Sequence, residues 1–99
     1  PRRVHAFHQY VVQVEDRERL RRELAERGIE TGIHYPTPLH HQPAWEDAYE
    51  SGLSFPRAEQ LAARILSLPV VPDLTWDEVR YVAAAVRECA RPLPAGALA

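Results

Sequence analysis

Lysine and methionine are absent from this 99-residue chain, and all 12 of its basic residues are arginine. With no side-chain amine, none of its own side chains can form a Schiff base with a carbonyl substrate or cofactor. Cysteine occurs once, at Cys89, which excludes an internal disulfide and fits a reducing compartment. Glycine occurs 4 times at scattered positions, so no glycine-rich loop is present to cradle a phosphate. No apolar run approaches the ~20 residues needed to cross a bilayer, and no signal-peptide pattern opens the chain; we expect no membrane partner and a cytoplasmic location. The 12 arginines face 14 carboxylates, for a net charge of −2, so there is no electrostatic footprint for nucleic acid. A start at Pro1 in place of Met leads us to expect a processed chain or a piece of a longer one.

Apolar residues make up 45% of the chain and charged residues 26%, an ordinary balance for one small globular domain. The segment from Phe7 to Val14 alternates and is rich in β-branched and aromatic residues, which predicts a strand. Asp16 offers an N-cap to a helix over Arg17 to Arg27 with a narrow apolar stripe, and Gly28 followed by Ile29 fits its left-handed stop. Thr31 to Tyr35 reads as a second strand, so that strand, helix and strand make a crossover unit. Three prolines between Pro36 and Pro43 preshape an extended loop, and Pro43 opens a short helix through Ala44, Trp45 and Ala48 to about Gly52. A helix from Pro56 carries Ala58, Leu61, Ala62, Ile65 and Leu66 on one face, and Ser67 to Val71 is expected as a third strand, with Pro69 at a sheet edge or a strand end. Thr75 and Glu78 have capping-box spacing, Leu74 and Val79 the staple spacing, and Val79, Val82, Ala83, Val86 and Ala90 the buried stripe of the last helix. The expected architecture is a two-layer α+β domain over residues 1–91, a small sheet with helices on one face, and a tail over 92–99.

Histidine is the concentrated chemical signal: His5 and His8 at the first strand, and His34, His40 and His41 around the proline loop. Adjacent His40 and His41 are expected to point apart, and no further ligand stands at a recognised spacing, so no metal is expected. Acid–base or hydrogen-bonding work on an anionic or hydroxyl-rich ligand is physically easier. The plainer alternative makes His8 and His34 half-buried strand histidines bonded to backbone carbonyls. Glu46, Asp47 and Glu50 read as the wet face of a short helix, and any phosphate contact would fall to an arginine such as Arg2, Arg3 or Arg57. Cys89 reads as a small buried hydrophobe.

Thr31-Gly-Ile-His-Tyr-Pro-Thr-Pro-Leu-His40, followed by Gln42-Pro-Ala-Trp45, resembles the C-terminal domain of sugar aminotransferases of the DegT/StrS type, within the aspartate aminotransferase superfamily. Further pieces stand in the same order: His8-Gln-Tyr-Val-Val, Leu24-Ala-Glu-Arg-Gly-Ile29, Phe55-Pro-Arg-Ala-Glu-Gln-Leu-Ala62, Leu66-Ser-Leu-Pro69 and Leu74-Thr-Trp-Asp-Glu-Val79. The resemblance implies a homodimeric enzyme dependent on pyridoxal phosphate (PLP) that moves an amino group from glutamate or glutamine to a nucleotide-linked keto-sugar. It also implies a larger N-terminal domain that holds the cofactor, with its lysine, and a smaller C-terminal domain that closes the substrate site. Substrate-side roles are carried to His34, Tyr35 and His40, and more weakly to His8, while Gln42 and Trp45 shape the loop. No catalytic and no cofactor-binding residue is expected in this chain. Two other readings are a stand-alone sugar-nucleotide-binding or dimerisation module, and the same domain of a PLP-dependent sugar dehydratase. On the leading reading, the helix-free side of the sheet or the loop face at Tyr35 and Trp45 packs on the large domain, and alone it leaves an apolar patch exposed.

Overall fold

A computed structural model describes residues 2–47 and 52–97, except for the side chain of Glu46. Strand β1 (Tyr10–Gln13) is followed by helices α1 (Arg17–Glu26), α2 (Pro43–Glu46) and α3 (Pro56–Arg64), strand β2 (Ile65–Leu68) and helix α4 (Trp76–Cys89). A single 3-10 turn, Leu39–His41, precedes α2.

The two strands pair antiparallel, with Tyr10 opposite Leu68 and Val12 opposite Leu66. The predicted strand over Phe7 to Val14 is shorter than expected at its start because Phe7 takes a positive φ of 48°, which breaks the pleat. The predicted strand over Thr31 to Tyr35 reduces to one antiparallel bridge, Gly32 to Ser67, closed by hydrogen bonds of 3.0 and 2.8 Å. Both β1 and Gly32 run against β2, one on each side of it. The expected crossover is therefore split: α1 joins two segments of like direction with β2 inserted between them. The third predicted strand begins two residues early, at Ile65, and stops before Pro69, which has no N–H to offer a ladder. Ile65 and Leu66 thus belong to β2 and not to the preceding helix.

Alternation on the paired strands decides the core. Val14, Val12 and Leu66 face the helices, and Leu66 packs with Leu20 and Leu24 of α1, Ile29, and Ala85 and Cys89 of α4. Leu20, Leu24 and Leu66 are each 0% exposed. Cys89 lies in this cluster as expected, and burial pushes its thiol pKa up.

The helix ends follow their local chemistry. At the end of α1, Gly28 has a φ of 76°, its N–H donates to the Ala25 carbonyl and that of Ile29 to the Leu24 carbonyl, a Schellman-type stop. Asp16 occupies the N-cap position but gives no side-chain cap; it is left-handed (φ 50°), and its carboxylate pairs with Arg19 at 3.4 Å. The capping box of α4 is complete: Glu78 N–H donates to Thr75 Oγ1 (3.2 Å) and Thr75 N–H to Glu78 Oε2 (2.8 Å). The buried stripe of α4 is rotated from the expected one. Val82, Val86 and Ala90 pack on the core as predicted, but Ala85 and Cys89 form its buried centre, while Val79 and Ala83 are exposed. Helix α2 starts at Pro43 as expected; its predicted continuation through Ala48, and Glu50 of the acidic cluster, lie outside the described residues.

Arginines join the layers over long sequence distances. Arg17 donates to the carbonyls of Ala62 and Ile65 at the end of α3, and Arg19 to the Cys89 carbonyl at the end of α4 (2.8 Å). Arg27 meets Glu88 at 2.6 Å, and Tyr81 donates to the Arg27 carbonyl at 2.8 Å. A planar fork with five donors suits this bridging of carbonyls in a way an ammonium does not.

The molecule is spread out for its size. Its radius of gyration is 16.2 Å, against about 13 Å for a compact domain of this length. Its accessible surface is 7953 Å², where a folded monomer of this mass exposes about 5,700 Å². Among the described residues, no helix is long and apolar enough to cross a membrane.

Candidate functional site

Among the described residues, the chemistry gathers at two histidine-centred units and one apolar groove. The first unit begins at Gly32. A Cβ built there would lie 2.8 Å from Cε1 of His34, so the ring as placed packs over the bare Cα and a larger residue would push it aside. The His34 ring reaches Ser67 Oγ with its Nδ1 at 2.9 Å, and Ser67 is itself buried. The peptide between His34 and Tyr35 is cis. Tyr35 stands 71% exposed, its ring set edge-on to that of His34 at 5.5 Å. The imidazole is thereby oriented by a hydroxyl, not by a backbone carbonyl, and Tyr35 presents its phenol to solvent.

The second unit lies at the end of the proline loop. Gln42 Nε2 donates to the Thr37 carbonyl at 3.2 Å and ties the loop across its base, the shaping part expected of it. The 3-10 turn places His40 against α3, where its Nε2 meets Glu59 Oε1 at 2.9 Å and its ring packs edge-on to Phe55 at 4.8 Å. The His40 side chain is only 5% exposed. His41 does not point away, as adjacent residues do on extended backbone: the two imidazoles are 4.1 Å apart. The tight turn brings both rings to the same carboxylate. Glu59 Oε1 also accepts from Phe55 N–H (2.9 Å) and Ser54 Oγ (3.2 Å). The His40 contact, then the Phe55 and Ser54 bonds, hold the Glu59 carboxyl below its ordinary pKa.

Because that folded-state pKa lies below the unfolded value of about 4.3, the carboxylate's contribution to stability is present above that pH and is lost as pH falls through the folded value. Glu59→Gln is expected to lower the urea midpoint at pH 7. The gap between variant and wild type should close below about pH 4. Denaturation series at pH 7 and at pH 3 check this, and a gap that persists unchanged in acid contradicts it.

His8 is exposed, two residues before β1, and stands apart from both hydrogen-bonded pairs in sequence and element. The four predicted substrate-side residues are thus distributed: His34 and Tyr35 form one exposed unit, His40 is buried beside α3, and His8 sits near the groove's edge at Phe7. Arg2, Arg3 and Arg57, the candidate phosphate contacts, are exposed.

The apolar groove is not at the Tyr35 and Trp45 loop face, one of the two places where the sequence put an exposed apolar patch. It encloses about 620 Å³ between the outer end of the sheet and α4, with Phe7, Tyr10, Val71, Val79, Val82 and Val86 among its lining. It lies on the helix-bearing side of the sheet, where the core thins from Val14 to Tyr10, and not on the helix-free side. The serine, carboxylate and arginine clamps escaped the sequence reading because each joins residues far apart in the chain. The one local signal was the glycine two residues before His34.

This arrangement can be set beside known proteins. The sequence profile of the DegT/DnrJ/EryC1/StrS aminotransferase family matches residues 1–87. The chain belongs to that family. It is 43% identical over 82 residues to the erythromycin biosynthesis sensory transduction protein EryC1 of Saccharopolyspora erythraea, covering 83% of this chain and 22% of that protein. It is likewise 43% identical over 84 residues to the dTDP-3-amino-3,4,6-trideoxy-alpha-D-glucose transaminase of Streptomyces venezuelae, covering 85% of this chain and 22% of the relative. The crystal structure of S. venezuelae DesV in complex with a ketimine intermediate superposes with a TM-score of 0.77 at 41% identity, over 88% of this chain and 24% of that one. The α+β architecture is therefore a piece of the fold of this aminotransferase family, and the chain spans under a quarter of the length of these relatives.

Proposed function

We propose that this chain is the C-terminal domain of a PLP-dependent aminotransferase acting on a nucleotide-linked keto-sugar, with glutamate or glutamine as amino donor. In this reading it works in the cytoplasm, in a homodimer, beside a larger N-terminal domain. The observation that carries the reading is the His34–Tyr35 unit, its imidazole held by Ser67, in a chain whose relatives include a dTDP-amino-sugar transaminase.

PLP does not fit the donor set of this chain. Its aldehyde calls for a primary amine, and the available side chains are imidazoles, phenols, carboxylates and guanidiniums. No chemical step is assigned to the chain alone, and it is not catalytic by itself. Its work is binding and closure. His34, held by Ser67, offers Nε2 to a sugar hydroxyl or phosphate oxygen, and Tyr35 adds an exposed phenol and an aromatic face. His8 supplies a further imidazole from the strand side. His40 contributes from beneath the loop: bonded to Glu59, it fixes where the loop carries Tyr35.

In the longer protein that contains this chain, His34→Ala is expected to raise KM for the keto-sugar nucleotide about tenfold, the loss of one hydrogen bond to a charged or polar oxygen. The absorption of the bound cofactor should stay unchanged, because no group on this chain binds it. Steady-state kinetics with a cofactor spectrum on the same samples provide the check. An unchanged KM in both His34→Ala and Tyr35→Ala contradicts the substrate-side assignment.

A further inference from the structure

We propose that His40, His41 and Glu59 form a binding site for a divalent transition-metal ion of the zinc, cobalt or nickel class. The site shares His40 and Glu59 with the loop support described above, and its test reads metal binding alone, so it can fail without touching the aminotransferase reading. Two imidazole nitrogens and one carboxylate oxygen converge: Nε2 of His40 lies 2.9 Å and Nε2 of His41 3.9 Å from Glu59 Oε1. The ligand atoms all lie within 4.8 Å of one another. Around a tetrahedral zinc ion, ligand atoms stand about 3.3 Å apart, so small rotations of the three side chains complete the geometry.

The surroundings favour an ion over a bare hydrogen bond. One wall is rigid, since His40 is buried against Phe55 and the Glu59 oxygen is fixed by Phe55 N–H and Ser54 Oγ, the outer support a ligating carboxylate needs. The other wall is open: the His41 side chain is 49% exposed, which gives an ion a path in and leaves a coordination position for water. Two nitrogen donors and a single oxygen suit zinc, cobalt or nickel, whereas magnesium and calcium take oxygen ligands. Sequence spacing hid the site because the third ligand lies 18 residues beyond His41, on a different helix.

Titration of the 99-residue chain with Co²⁺ tests the site through the visible absorption of the bound ion. One equivalent is expected to saturate, with a spectrum of low coordination number, and Zn²⁺ should displace it. His41→Gln should weaken binding at least tenfold, while His5→Gln and His8→Gln leave it unchanged; circular dichroism verifies that each variant is folded. Ring-proton NMR of the wild-type chain keeps the test independent of any variant: added Zn²⁺ should shift the signals of His40 and His41 and not those of His5, His8 and His34. Absence of saturable binding, binding indifferent to His41→Gln, or shifts at the other histidines alone would overturn the proposal.

Discussion

Leu24→Ala should remove about 3 kcal/mol of folding stability, read as a fall in the urea midpoint with an unchanged slope. Leu24 is wholly buried where α1 meets β2 and α4, and its neighbours Leu20 and Leu66 are equally enclosed. Truncation removes the transfer energy of the side chain and leaves a cavity that the arginine clamps on Ala62, Ile65 and Cys89 keep from collapsing. A chain of this length has only about 5–15 kcal/mol to lose, and a small core with excess surface places it near the lower end. The same substitution at Leu39, which is exposed, should change stability by no more than about 0.5 kcal/mol. Equal effects at the two positions would show that the cluster around Leu24 does not hold the layers together.

The second large effect concerns the groove. Phe7, Tyr10, Val71 and Val79 are exposed large hydrophobic residues around one concavity, and the whole molecule shows far more surface than its mass requires. The chain spans under a quarter of its relatives' length, and in the function proposed above the groove would face the larger domain. The isolated chain is expected to bury the groove against a second copy as its concentration rises. Sedimentation equilibrium should show a weight-average mass climbing above that of the monomer. Tyr10→Ser combined with Val79→Ser should return it to the monomer, because both side chains line the groove and neither belongs to the buried cluster. A wild-type chain that stays strictly monomeric at high concentration would contradict this use of the groove.

What could be read from the sequence was local. The capping box at Thr75 and Glu78 and the left-handed stop at Gly28 depend on contacts within a few residues, and both form as the spacing predicts. Strand extents failed because a strand is a property of a pair. β1 is only as long as β2 allows, and the expected strand at Thr31 to Tyr35 keeps one bridge once the chain turns at His34. The stripe on α4 was displaced because Val79 and Ala83 face the groove, where this chain has no partner layer for them. His40 and His41 converge because a 3-10 turn replaces extended backbone there. The motif series identified the family, but the Ser67 and Glu59 partners that organise the histidines lie 33 and 19 residues away, beyond any local pattern.

The proposed division of labour between a substrate-side chain and a cofactor-bearing domain is tested most directly by one assay. The 99-residue chain is mixed with PLP, an amino donor and a dTDP-linked keto-sugar, and amino-sugar formation is followed beside the cofactor's absorption. No product and no aldimine band are expected from the chain alone, and product is expected once the same chain is joined to a lysine-bearing large domain of its family. Steady PLP-dependent turnover by the lysine-free chain alone would contradict it.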